Sequence, residues 1–157
     1  MDVGQTAVAL VTDFLKSVLL EDRLNVKKRT LEFINDSNLA VTIRFSGDPD
    51  IGITQRLGSE DRKLAAIEIK GGTDISNIWN RLGEAEKSHQ TAKAAGFNEL
   101  WTLTGIDLST PDKLKTAKQK SPSTTRFFFI PRILDSSTSE GKNFRQLLGS
   151  VMGVNLC

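Results

Sequence analysis

The chain holds one cysteine, Cys157, and one histidine, His89. A lone cysteine excludes an intrachain disulfide and suits a reducing compartment, so the expected location is cytoplasmic. A single histidine cannot furnish a Ser-His-Asp set, and no cysteine–histidine cluster suited to zinc is present. A Walker-type glycine loop is also missing. Excess charge of either sign is small, with 21 Lys and Arg against 19 Asp and Glu for a net +2. Bulk charge therefore does not signal nucleic-acid binding, and attraction to phosphates has to come from local clustering. No apolar run is long enough to cross a bilayer. Near the start, Gln5, Thr6 and Asp13 interrupt the apolar residues, unlike the basic start and unbroken core of a signal peptide. What is present is 157 residues, 38% hydrophobic and 25% charged, which fits one globular domain around one core.

Periodicity gives the elements. Residues 2–20 read as a helix, with Asp2 as cap and Val3, Ala7, Leu10, Phe14 and Val18 at helical spacing. Residues 21–30 are polar and basic, a connector. Residues 31–34 fit either a short strand or a helix end, 35–38 a turn, and 39–45 a strand. A hairpin over 48–70 turns between Arg56 and Arg62. Thr73 or Asp74 then caps a long helix to about Ala95, burying Ile75, Ile78, Leu82, Ala85 and Ala92 and closed by Gly96. A strand at 99–103 completes a parallel βαβ unit. Ser109-Thr110-Pro111 opens a helix carrying Lys113, Lys115, Lys118 and Lys120. An apolar strand over 126–130 is stopped by Pro131, 135–141 form a polar loop, and 144–151 a last amphipathic helix. The order is helix, three antiparallel strands, helix, parallel strand, then an appended strand and helix. It predicts an α/β fold, a mixed β-sheet flanked by helices.

The hairpin carries the chemistry. Its first strand begins Asp48-Pro49-Asp50-Ile51-Gly52-Ile53, and its second ends Ala66-Ile67-Glu68-Ile69-Lys70-Gly71-Gly72. Glu68 and Lys70 share one face while Ile67 and Ile69 share the other. A register with Gly52 against Ala66 puts Asp50 opposite Glu68, where directly opposed Cβ atoms are about 5 Å apart. Two carboxylates so close repel unless a proton or a cation sits between them. A hard divalent cation with oxygen ligands is the natural occupant. The alternative for Glu68 and Lys70 is a solvated charge pair on an edge strand. Against it, Gly71-Gly72 permits close approach of another backbone or a ligand, and Ala65-Ala66 keep the strand slim enough to be central.

Pro49-Asp50, seventeen residues, then Glu68-x-Lys70 resembles the signature of the PD-(D/E)XK nuclease superfamily. The longer stretches LEFINDSNLAVTIRFSGDPDIGI and IEIKGGTDISNIWNRLGEAEKSHQTAKAAGF resemble the catalytic part of the XcyI-type restriction endonucleases. The resemblance implies a restriction-endonuclease-like core over residues 1–157, with Asp50, Glu68 and Lys70 catalytic. The metal would be Mg²⁺, held by Asp50, Glu68 and the backbone carbonyl of Ile69, since magnesium needs only one or two carboxylates. Lys70 would act as base or as charge stabiliser. The substrate would be double-stranded DNA, cut by a homodimer at a GC-rich palindrome. The chain is short for that family, so recognition is built from its loops or lies in a longer enzyme. Alternatives are a repair or junction nuclease on the same fold and a catalytically silent DNA-binding module.

Lesser candidates surround this set. Asp48 shares the phase of Asp50, which is preferred because it follows proline. Glu32 or Glu21 could add an acid, though a surface role suits both better. His89 reads as a packed or surface residue, and Gln90 resembles a polar helix residue that some superfamily members turn toward the site. Lys113, Lys115, Lys118 and Arg126 are candidate phosphate contacts, as is Arg132, although a solvated helix face explains the lysines equally well.

Overall fold

One seven-stranded sheet is covered by different helices on its two faces, and that division decides where the polar site lies. The computed structural model describes residues 3–19 and 24–156. Its strands are β1 (Asn25–Lys27), β2 (Thr30–Ile34), β3 (Ala40–Arg44), β4 (Ile51–Leu57), β5 (Glu60–Lys70), β6 (Leu100–Thr104) and β7 (Arg126–Phe129), in that spatial order. Strands β1 to β5 pair antiparallel, and β6 and β7 extend the sheet in parallel. The helices are α1 (Val3–Val18), α2 (Ile75–Ala94), α3 (Pro111–Lys120), α4 (Ile130–Ile133) and α5 (Ser139–Met152).

On one face, Ile43, Ile53, Ala65, Ile67, Ile69 and Trp101 pack with the apolar residues of α1, α4 and α5. Phe144 of α5 anchors this core, its ring centroid 4.9 Å from Phe128 and 5.9 Å from Trp101. On the other face, Ala66 and Leu100 meet Ala92 of α2, and Ile78 and Leu82 meet Ala117 of α3. Alternation along β5 therefore puts Glu68 on the α2 face with Ala66, while Ile67 and Ile69 point into the larger core. Coverage on both faces is why β5 residues 65–69 are all buried.

The mixed α/β sheet flanked by helices is the expected architecture, and residues 31–34 resolve as strand β2. Five strands rather than three are antiparallel, because the connector at 21–30 holds β1, an exposed edge strand with no burial alternation to reveal it. Ile75 is 48% exposed, contrary to its place on the expected buried face. Asp74 caps α2 through Ser76 N, so Ile75 occupies the first turn, outside the packed stretch. Pro131 does not merely stop β7. It opens α4, where its fixed φ and missing N–H suit a first helical turn. The loop expected over 135–141 ends sooner, since Thr138 Oγ1 accepts from Gly141 N and starts α5 at Ser139. Gly96 closes α2 as expected, with φ +110°. The candidate cap Asp2, and Glu21, Arg23 and Cys157, lie outside the described residues.

Phe144→Ala removes the ring joining α5 to β6 and β7, and is expected to cost ~3–5 kcal/mol of stability in urea unfolding. A loss below about 1 kcal/mol would show that the site can collapse around the missing ring.

Candidate active site

The site forms where β4 begins and β5 ends. Gly52 pairs with Ala66 and Ile51 with Ile67, the register expected from the alternation. Asp50 lies just beyond this ladder, and its Oδ2 accepts a hydrogen bond from Ile69 N at 2.8 Å. A side chain thus continues the ladder that the backbone has left, and holds the Asp50 carboxylate at the end of β5. Glu68, on the α2 face, is 2% exposed, and among the described residues its Oε1 has no hydrogen-bond partner. Its Oε2 lies 3.9 Å from Lys70 Nζ, which is 3.8 Å from Glu84 Oε2 on α2.

Electrostatics follow from this packing. Burial, and after it the negative charge of Asp50, push the Glu68 carboxyl up to about 8, against the pull of Lys70. Without a cation, Glu68 therefore keeps a proton at neutral pH. A buried carboxyl oxygen with no partner, a second carboxylate beside it and an all-oxygen donor set fit a hard divalent ion. Among the described residues no cluster of three or more Asp, Glu, His and Cys side chains could hold a metal. Two carboxylates suffice for magnesium, which keeps most of its water.

The structure brings Asp50, Glu68 and Lys70 together and leaves Asp48 exposed. Glu32 is engaged elsewhere, 3.1 Å from Lys27 Nζ. Gln90 is exposed and donates to Glu86 Oε2 at 2.9 Å, so it does not turn toward the site. Lys115, Lys118 and Arg126 are exposed, whereas Lys113 is partly covered. Lys118 and Arg126 line a shared hollow with Phe127 and Asn143, separate from the carboxylates. Arg132 is not free for phosphate, since Asp107 Oδ2 at 2.6 Å and Glu140 Oε1 at 2.9 Å hold its guanidinium.

Two acidic residues of α2 escaped the sequence reading. Glu84 has no local signature, and only the docking of α2 on β5 brings it to Lys70. Glu86 is buried and accepts from Ser123 N and Ser123 Oγ, both at 2.6 Å. Burial pushes its carboxyl up, but these bonds and Gln90 outweigh that and hold it below the usual range. The polar cluster Ser121-x-Ser123-Thr124 was its signal. His89 is fully buried, and burial drives its imidazole down to about 4, so it is neutral. Its Nε2 lies 2.8 Å from Thr102 Oγ1, and Thr102 is the β6 neighbour of Glu68. This is the packed histidine expected.

A carboxyl whose folded pKa is raised favours folding below its unfolded pKa and loses that advantage as pH climbs through the folded value. For Glu68 that window runs from 4.5 to about 8. In metal-free buffer, Glu68→Gln is expected to gain stability over the native chain as pH rises across it. A difference in urea midpoint that stays constant with pH would contradict the burial account.

The family model described as XcyI restriction endonuclease matches residues 1–155. The chain is 36% identical over 152 residues to the type II restriction enzyme Cfr9I of Citrobacter freundii, covering 96% of this chain and 44% of that protein. It is 35% identical over 152 residues to the type II restriction enzyme XcyI of Xanthomonas campestris pv. cyanopsidis, covering 96% of this chain and 45% of that protein. The chain thus spans less than half the length of these relatives. No solved structure matches it. With the family model running over nearly every residue and both relatives agreeing, the chain belongs to the XcyI restriction endonuclease family.

Proposed function

We propose that residues 1–157 form one nuclease domain that hydrolyses phosphodiester bonds of double-stranded DNA with Mg²⁺. The observation that carries this reading is the buried, unpartnered carboxyl oxygen of Glu68 beside Asp50 and Lys70. Asp50, Glu68 and the carbonyl of Ile69 would hold the ion. When bound, Mg²⁺ lowers the pKa of water, polarises the phosphoryl group and orients attacking and leaving oxygens. Lys70 is held between Glu68 and Glu84. From there its ammonium serves the attacking water as base or the phosphoryl oxygens as counter-charge. Glu68 and Asp50 neutralise the ion, and the wall of α2 keeps solvent from the inner carboxyl.

The family and the names of both relatives support a type II restriction enzyme. On this reading the target is a GC-rich palindrome, and a two-fold site calls for a homodimer. Lys113, Lys115, Lys118 and Arg126 would contact the DNA backbone, giving affinity that weakens with salt. A cytoplasmic location accords with this activity, and among the described residues no helix is long and apolar enough to cross a membrane.

The test is plasmid DNA incubated with the protein and Mg²⁺. Discrete fragments whose ends map to one GC-rich palindrome are expected, and none from Asp50→Ala or Glu68→Ala. Lys70→Ala should slow cutting by roughly 10²-fold or more. Unimpaired cutting by Asp50→Ala would remove that residue from the site. A smear would indicate cleavage without sequence preference, and equal rates with Ca²⁺ would contradict the role given to magnesium.

A further inference from the structure

One cation beside the site has no assigned task. Arg81 of α2 lies against Gly72, two residues beyond Lys70, with its Cζ 3.5 Å from where a Gly72 Cβ would stand. A β-carbon there would collide with Arg81 Nη1, so the glycine makes room for the guanidinium. On its other side the loop packs directly against Gly105. A β-carbon on Gly105 would sit 2.5 Å from Gly71 O and 2.8 Å from Gly72 O. Arg81 is only partly exposed, yet among the described residues no hydrogen bond or ion pair holds its guanidinium. Arg132 shows the contrast, with two carboxylates on one guanidinium. Glu84, three residues on and so on the same side of the helix, reaches Lys70. Arg81 therefore stands on the face of α2 that looks toward the end of β5.

A half-covered guanidinium with no anion among the described residues, on the helix face that looks toward the carboxylates, is arranged to receive one from outside. Its planar fork matches two oxygens of a phosphate. We propose that Arg81 binds a backbone phosphate of the DNA strand held at Asp50 and Glu68. The inference rests on the nuclease reading for its ligand. It adds a phosphate contact on α2, apart from the lysines of α3.

The experiment measures binding of a fluorescein-labelled DNA duplex by anisotropy in Ca²⁺ across a salt series, with plasmid cleavage in Mg²⁺ alongside. Each phosphate contact contributes about 0.9 to the slope of log K against log salt. Arg81→Ala should make the slope shallower by about that amount. Its affinity should fall by about tenfold. Arg81→Gln, which keeps much of the side-chain length, should do the same if the alanine variant does not fold. Arg62→Ala, at the far end of the β4–β5 hairpin, should leave the slope unchanged. An equal drop in Arg62→Ala, or native slope and affinity in both Arg81 variants, overturns the assignment even if the protein cuts DNA. Binding with the expected slope change but without cleavage upholds Arg81 and sinks the nuclease reading. Failure of the native protein to bind DNA overturns both.

Discussion

The hydrogen bond from Ile69 N to Asp50 Oδ2 is the contact on which the rest of the site depends. It ties the residue before β4 to the end of β5 and so keeps two carboxyls together, close enough that burial and the charge of Asp50 hold Glu68 protonated. Glu68 is on the partner strand, buried under α2, with one oxygen unpaired. Such an arrangement costs stability unless a proton or a cation joins it. The fold accepts that cost because β5 is fixed on both sides and both faces, by β4 and β6 and by the two helical layers. A strand so enclosed cannot swing its glutamate out to water.

Around this point the α2 face is mostly satisfied, His89 Nδ1 being the exception. His89, Thr102, Thr124 and Ser121 form a chain of contacts of 2.7–2.8 Å leading toward Glu86, which Ser123 holds from backbone and side chain. Apart from His89 Nδ1, the polar groups of this chain of contacts are thus paired, while the carboxyl in front of them is left open. That contrast separates the site from the scaffold more clearly than burial does, since Glu86 and Glu68 are both buried acids. One has its hydrogen bonds and a lowered pKa, the other an empty oxygen and a raised one.

Much of this was legible because a central hairpin writes its geometry in period two. The phases of Ile51, Ile53, Ile67 and Ile69 set the faces, and Gly52 opposite Ala66 set the register. Hence Asp50, Glu68 and Lys70 could be grouped from spacing alone. Helix α2 was legible from its cap at Asp74 to Gly96, except that Ile75 lies in the first turn and stays exposed. What escaped depended on tertiary docking. Strand β1 is exposed at an edge, so no alternation marks it. Glu84, Arg81 and Glu86 look like ordinary helix-surface charges until α2 is laid on β5 and the loop after α3 is folded beneath it. Arg132 misled for the same reason, because its partners Asp107 and Glu140 come from two distant segments.

The central claim is that a divalent ion replaces the proton of a buried glutamate. Calorimetric titration of the protein with Mg²⁺ in two buffers of different ionisation enthalpy tests it without DNA or turnover. At neutral pH the account predicts binding with release of about one proton per ion. In Glu68→Gln that release disappears. Binding by the native protein with no proton released, or no binding at all, would contradict it.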